Sequence, residues 1–302
     1  MMSSTQLLGK VCVVTGASGG VGKETARSLA DMGATVVLIA RDRTRGQAAL
    51  AELTQSRATG SVELLVGDLS SQAEVRRLAS DILERHARLH VLVNNAGVAL
   101  PKRRTTVDGL ESTLATNHLA PFLLSHLLLD RLRTSAPARI VNVSSHTHSW
   151  VRRIPWDDLQ SERSYDPHMV YNLTKLMNIL FTYELARRLT GSGVTANCLH
   201  PGWPIRTDLG RQETGTAALF DRASKLFARS AKRGAETSVH LASSAEVGNT
   251  NGRYFVNRRP TPSSRLSNDA SAAHRLWTAS AELCGLSEPA PASPPRIALP
   301  VT

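Results

Sequence analysis

Tyr171 and Lys175 stand four residues apart in the run MVYNLTKLMNILFTYELARRL, whose apolar spacing predicts a long helix over 169–190. Side chains at this spacing share one helix face, so a phenol and an ammonium are brought together. A phenol can exchange a proton with a carbonyl or alcohol oxygen if its pKa falls from about 10 toward neutrality. A cation roughly 4 Å away at an effective dielectric near 20 contributes on the order of 4 kcal/mol, or about three pKa units. A lowered Tyr171 pKa is therefore expected. An isolated Tyr-x-x-x-Lys on a helix is commonplace, however, and its company decides what it means.

One companion is Thr15-Gly16-Ala17-Ser18-Gly19-Gly20-Val21-Gly22, between the buried-strand pattern KVCVVTG and the helical GKETARSLADMG. Glycines at a strand-to-helix turn let the backbone approach a pyrophosphate, whose charge the first amides of the helix stabilise. The spacing is G-x-x-x-G-x-G rather than the commoner G-x-G-x-x-G. Gly16, Ser18, Gly20, Val21 and Gly22 are thus candidate cofactor-binding residues. At the end of the second strand pattern an acid would take the ribose hydroxyls of NAD, whereas an Arg fits a 2′-phosphate. Position 40 is Ala and Arg41 follows, so NADP is the expected cofactor, NADPH over NADH. Asp42 stands one place too late to be the selecting acid.

Strands that are nearly all apolar belong to a parallel sheet covered by helices. Here KVCVVTG, ATVVLIAR, SVELLVGDL, LHVLVNNAG, ARIVNVSS and GVTANCLHPG alternate with amphipathic helical runs. A last helix near AKRGAETSVHLASS and a short strand GRYFVN close the series. The pattern predicts an α/β fold: a single-domain, doubly wound, Rossmann-type parallel sheet with helices on both faces. A second long helix is expected over 107–132, kinked or broken at Pro121. Residues 1–286 read as one oxidoreductase domain, and the Pro/Ala-rich 287–302 as a disordered tail.

Composition excludes several other classes. Apolar residues make up 41% of the 302, enough for a sizeable core, while aromatics reach only 4%. Three cysteines, an odd number, read as reduced thiols rather than a disulfide framework. The net charge of +11 comes from scattered pairs such as Arg103-Arg104 and Arg152-Arg153, without a nucleic-acid recognition motif. His146 and His148 lack a thiol or acid at ligand spacing, so no metal site is expected. No apolar run approaches the roughly 18 residues of a membrane span, and the N-terminus carries no signal-type h-region. A cytoplasmic protein is expected.

Asn94-Asn95-Ala96-Gly97 and Ser144-Ser145 at strand ends, Asn117 in the intervening helix, and Tyr171-Asn172-Leu173-Thr174-Lys175 follow in order. With the glycine loop they resemble the short-chain dehydrogenase/reductase family. Within it, NHLAPFLLSHLLLDRL, SAPARIVNVSS, NILFTYELARRLTGSGVT and RLWTASAEL are similar to the retinol dehydrogenase branch. The resemblance runs from about Gly9 to Gly285. It implies hydride transfer between a nicotinamide and a small-molecule carbonyl or alcohol, with Asn117, Ser145, Tyr171 and Lys175 catalytic. By the same resemblance Ser145, rather than Ser144, bonds the substrate oxygen, and Asn117 anchors a water in a proton relay behind Lys175. Lys175 also holds the nicotinamide ribose, Asp68 and Leu69 bracket the adenine, and Asn95, Ala96 and Gly97 line the cofactor cleft. A homodimer or homotetramer is implied through the two long helices.

The sequence departs from the family pattern in three places. Pro201 and Gly202 match the loop after the sixth strand, but Trp203-Pro204-Ile205-Arg206-Thr207 follows, and Pro204 has no N–H to donate. Either Ile205 and Thr207 contact the nicotinamide through a one-residue bulge, or the loop is rebuilt. The long interval between Ser145 and Tyr171 carries Trp150, Arg152, Arg153 and Trp156, expected as one wall of the substrate pocket. The membrane-anchoring N-terminal helix of the animal retinol enzymes has no counterpart, which argues for a hydrophobic ketone, aldehyde or alcohol other than retinol. Residues 203–233 read as a substrate lid or, equally, a subunit-packing helix. An NADP-dependent oxidoreductase working as a reductase is the leading expectation. A non-redox isomerase, dehydratase or rearrangement catalyst, or a silent NADP-binding regulator, are the alternatives.

Overall fold

The computed structural model describes residues 6–55, 58–202 and 231–286. Its centre is an eight-stranded sheet in the order β3-β2-β1-β4-β5-β6-β7-β8. These are β1 (Val11–Thr15), β2 (Thr35–Ala40), β3 (Ser61–Val66), β4 (Val91–Asn94), β5 (Ala138–Val143), β6 (Val194–His200), β7 (Tyr254–Val256) and β8 (Arg259–Pro260). Every pair is parallel except β7 with β8, so GRYFVN does not end the sheet: a short antiparallel strand extends it. Parallel neighbours require crossovers, and the chain supplies them as helices. They are α1 (Gly20–Asp31), α2 (Arg43–Gln55), α3 (Gln72–Arg85), α4 (Ser112–Leu114) continuing into α5 (Ala120–Thr134), α6 (Pro167–Arg188), α7 (Ala231–Ser243) and α8 (Ala270–Leu283). Helix α8 was not among the elements expected from the strand–helix alternation.

Strand pleating divides the core between the two faces. Val13, Val37 and Ile39 join Leu78 of α3, Leu123 of α5, Leu176 of α6 and Leu276 of α8 in one cluster. Their neighbours Cys12, Val14, Val36 and Leu38 meet Leu29 of α1, Leu53 of α2 and Val239 of α7 on the other side. The three cysteines are free and buried. Among the described residues no helix is long and apolar enough to cross a membrane.

The long helices differ from expectation at their ends. Helix α6 begins two residues early because Asp166 accepts from the amides of His168 and Met169, with Pro167 at the first turn. The other does not begin at 107: Glu111, fully buried, accepts from the Thr113 and Leu114 amides and starts it there. The expected interruption at Pro121 falls just upstream of the proline, which itself sits in the first turn of α5. The five residues before α5, Ala115–Leu119, form a π turn in which the Ala120 amide reaches back to the Ala115 carbonyl. The wider turn accommodates the pyrrolidine ring that would crowd an ordinary α-helix.

With so few aromatics, one cluster stands out. Phe122 of α5 lies 5.4 Å from Phe181 of α6 and 5.0 Å from Trp277 of α8, ring centre to ring centre, and Arg188 covers the indole at 4.1 Å. It locks three helices together. Phe122→Ala is expected to lower the unfolding free energy by about 3–5 kcal/mol, read from urea denaturation.

Candidate active site

The order of the strands reverses between β1 and β4, and a crevice at their carboxyl ends is the usual ligand position in such a sheet. Here the two strand ends are tied together. The Thr15 hydroxyl accepts from the amides of Asn95 (2.9 Å) and Ala96 (3.0 Å), while the Asn95 side chain donates to the Thr15 carbonyl at 2.8 Å. A Cβ on Gly16 would lie 2.8 Å from the Ala96 Cα, and one on Gly22 would collide with the Asn95 side-chain nitrogen. Gly16 also has φ of +66°. These glycines thus permit the loop to press against β4.

Ser18 lies half-buried in the turn, Gly20 opens α1 at φ +56°, and Val21 points into the core. Helix α1 has neither a side-chain cap nor an acid in its first turn. Its leading amides remain available to an anion. Arg41 is exposed just beyond β2. Asp42 is engaged elsewhere: its carboxylate accepts from the Arg45 amide at 2.9 Å, capping α2. Asp68 accepts from the Ser70 amide, and Leu69 is buried in the core beside it.

The other half of the crevice is built on β5, the π turn and α6. Lys175 is 3% exposed, with its ammonium 3.2 Å from the Val143 carbonyl and 5.4 Å from the centre of the Tyr171 ring. Burial lowers its pKa to about 8. Tyr171 is half-buried, and burial pushes its phenol up to about 12, opposed by a hydrogen bond with Ser145. The expected depression of Tyr171 is therefore overturned in the free protein. Loss of hydration on burial disfavours the phenolate, and the Ser145 hydrogen bond opposes it only in part.

Ser145 receives two hydrogen bonds at its Oγ, from the Thr147 amide (3.3 Å) and the Thr147 hydroxyl (3.1 Å). Its own proton is thereby directed away from Thr147, and Tyr171 is its remaining side-chain partner. Ser144 instead donates to the Lys175 carbonyl at 2.7 Å, which fastens β5 to α6. Asn117, fully buried in the π turn, accepts from the Val98 amide (2.7 Å) and donates to the Val98 carbonyl (2.9 Å) and to Thr174 (3.1 Å). A Cβ on Gly97 would meet the Lys175 ammonium at 3.3 Å and the Asn117 oxygen at 3.4 Å. Gly97, Asn117, Lys175, Tyr171 and Ser145 thus share one small volume.

Pro201 is half-buried and Gly202 buried with φ +104° at the end of β6. Ile205 and Thr207, nearly all of the expected lid (203–233), and the tail 287–302 lie outside the described residues. Of the expected pocket wall, Trp156 is partly buried against the core, with the guanidinium of Arg275 4.5 Å from its ring centre. Trp150 is 53% exposed, edge-on to His146. Sequence reasoning missed Thr15, Thr147 and Thr174, whose hydroxyls set the glycine loop, Ser145 and Asn117. Threonines at strand and helix ends are too common to signal this. Asp42 carried a signal that could have been read, an acid just before a helical run.

The short chain dehydrogenase family model matches residues 10–217. Retinol dehydrogenase 12 of Homo sapiens is 43% identical over 284 residues, 94% of this chain and 89% of the relative. Among solved structures, an uncharacterized protein from Mycobacterium Paratuberculosis superposes with a TM-score of 0.75 at 35% identity, covering 94% of this chain and 96% of its own. A short chain dehydrogenase from Burkholderia cenocepacia J2315, in complex with NADP, gives 0.66 at 26% identity over 83% and 96%. The chain belongs to the short-chain dehydrogenase/reductase family. It is an NAD(P)-dependent dehydrogenase or reductase, similar to the retinol dehydrogenases.

The buried amine has a stability consequence. Because the folded pKa of Lys175 lies below its unfolded value, the unfolded chain binds more protons between about pH 8 and 10.5. The folded state therefore carries a penalty below pH 8, on the order of 3 kcal/mol, that fades as pH rises through that window. Lys175→Met is expected to raise Tm at pH 7, with the advantage over wild type shrinking by pH 10. Parallel melting curves of the two proteins check this.

Proposed function

We propose that the protein is an NADP-dependent reductase of hydrophobic ketones or aldehydes, able to run the reverse alcohol oxidation. The observation that carries it is the arrangement of Ser145, Tyr171 and Lys175 around one small volume beside Gly97. Near neutral pH a phenol with its pKa near 12 keeps its proton and an amine near 8 keeps its charge. That is the state in which Tyr171 can give a proton to a carbonyl oxygen as negative charge builds there.

The residues fit a nicotinamide dinucleotide. The uncapped N-terminus of α1 and the loop 16–22 suit a pyrophosphate, and Asp68 and Leu69 stand at the carboxyl end of β3 for the adenine. Asn95, Ala96 and Gly97 line the crevice, where the absence of a Cβ at Gly97 leaves room beside the Lys175 ammonium. When bound, the nicotinamide supplies or accepts the hydride.

Ser145 orients the substrate oxygen by hydrogen bonding, Tyr171 donates the proton, and Lys175 lowers the energy of the phenolate left behind. Asn117 keeps the Val98 backbone and Thr174 in place behind the lysine. Arg41, exposed and beside no competing free acid since Asp42 caps α2, supports a 2′-phosphate and hence NADP. The names of the relatives, retinol dehydrogenases, support an apolar substrate class.

A panel of apolar ketones and aldehydes assayed with NADPH tests the activity. Tyr171→Phe is expected to lower kcat by about 10²- to 10⁴-fold while NADPH binding, followed by fluorescence, persists. Full turnover in that variant would sink the mechanism. Arg41→Ala should weaken NADPH roughly tenfold or more and leave NADH little changed; equal losses would refute the cofactor preference.

A further inference from the structure

Ser145 enters a 3₁₀ turn, His146–Trp150, and the third residue after it in that segment, His148, is 3% exposed. Its Nδ1 lies 2.7 Å from the Ser145 carbonyl oxygen, and its Nε2 receives the Ser264 amide at 3.1 Å. A backbone amide can only donate, so Nε2 must be bare. The neutral ring then carries its proton on Nδ1, where it donates to Ser145. Tyr254 packs edge-on against the same ring at 5.1 Å. Burial holds the imidazole below its ordinary pKa, with His146 acting in the same direction, which keeps it neutral at pH 7.

The far end of this link is itself anchored. Ser263 bonds the Tyr183 hydroxyl at 2.8 Å, the Ser267 hydroxyl donates to the Ser264 carbonyl and lies 2.7 Å from the Ser263 hydroxyl, and Asn268 donates to the Ser264 carbonyl. Tyr183 belongs to α6, the helix that carries Tyr171. A closed circuit results: Ser145, His148, Ser264, Ser263, Tyr183, α6, Tyr171 and back to Ser145. We propose that His148 is a positioning residue, a neutral strut that fixes the Ser145 backbone against the 261–268 segment and so registers the serine hydroxyl to Tyr171. Thr147 secures the hydroxyl end of Ser145, and His148 secures its carbonyl end. This inference rests on the reading of Ser145 as the residue that orients the substrate oxygen.

The test is steady-state reduction of one carbonyl from the panel by the full chain with NADPH. His148→Phe is expected to lower kcat roughly ten- to hundredfold, the scale of a small misplacement, with NADPH affinity unchanged. His148→Asn, which retains a donor near the Nδ1 position, should recover a substantial part of that loss. In a Ser145→Ala background, His148→Phe should change kcat less than about twofold, because its effect runs through the serine. Wild-type kcat in folded His148→Phe, or an undiminished effect in the Ser145→Ala background, would overturn the proposal. Should His148→Phe not fold, His148→Gln keeps the acceptor for Ser264 and loses the donor to Ser145. A comparable kcat loss there supports the strut, and wild-type kcat overturns it. Full turnover in Ser145→Ala alone would instead bring down the functional reading itself.

Discussion

A parallel strand must leave its sheet at the same edge as its neighbours, and this constraint assembles the site. Thr15, Ala40, Asn94, Val143 and His200 end five strands on one edge, although they are scattered over nearly 200 residues of chain. The crossovers that parallel pairing demands are helices, and these fill both faces with Leu, Val and Ile. The edge is then free for polar groups. Where the strand order turns back between β1 and β4, no helix or loop needs to fill the gap, and the hydrogen bonds of Thr15 with Asn95 and Ala96 fix its width.

Within that frame lies a buried charge, the Lys175 ammonium. No carboxylate among the described residues neutralises Lys175; it has the Val143 carbonyl instead. A carboxylate there would make the amine more comfortable and cancel its field at Tyr171. The carbonyl satisfies one donor without carrying a compensating full charge. Asn117 follows the same economy: it is a neutral amide that occupies both polar groups of Val98 and a hydroxyl of α6. The polar groups behind Tyr171 and Lys175 are thus matched by hydrogen bonds, while the net positive charge is left for the crevice.

Much of this was legible in the sequence, because periodicity and spacing are local properties. Apolar runs located seven of the eight strands, and the Tyr171–Lys175 spacing placed both on one face of α6. What was not legible depends on neighbours distant in sequence. Spacing gives the separation of Tyr171 and Lys175 but not their burial, and burial sets the direction of both pKa values. Trp156 was read as a pocket residue because aromatic and arginine residues cluster around it. Its partner Arg275 comes from a helix more than a hundred residues away, a contact that no local pattern announces. His148 read as half of a failed metal pair, since nothing local announces the Ser264 amide.

The π turn at Ala115–Leu119 makes helix length a matter of register rather than size. An α-helix turns by about 100° per residue, so the wide turn holds one residue that a regular helix of equal rise would not need. Removing one of these residues other than Asn117 would let α4 and α5 join as a continuous α-helix with both flanks in place, and the whole adjustment would fall on the turn itself. Asn117 would then swing from Val98 and Thr174 while the aromatic cluster around Phe122 stayed where it is. This segment is thus one in which a deletion and a substitution have opposite signatures. A substitution at Asn117 changes one side chain in place, whereas such a deletion keeps the Asn117 side chain and moves it.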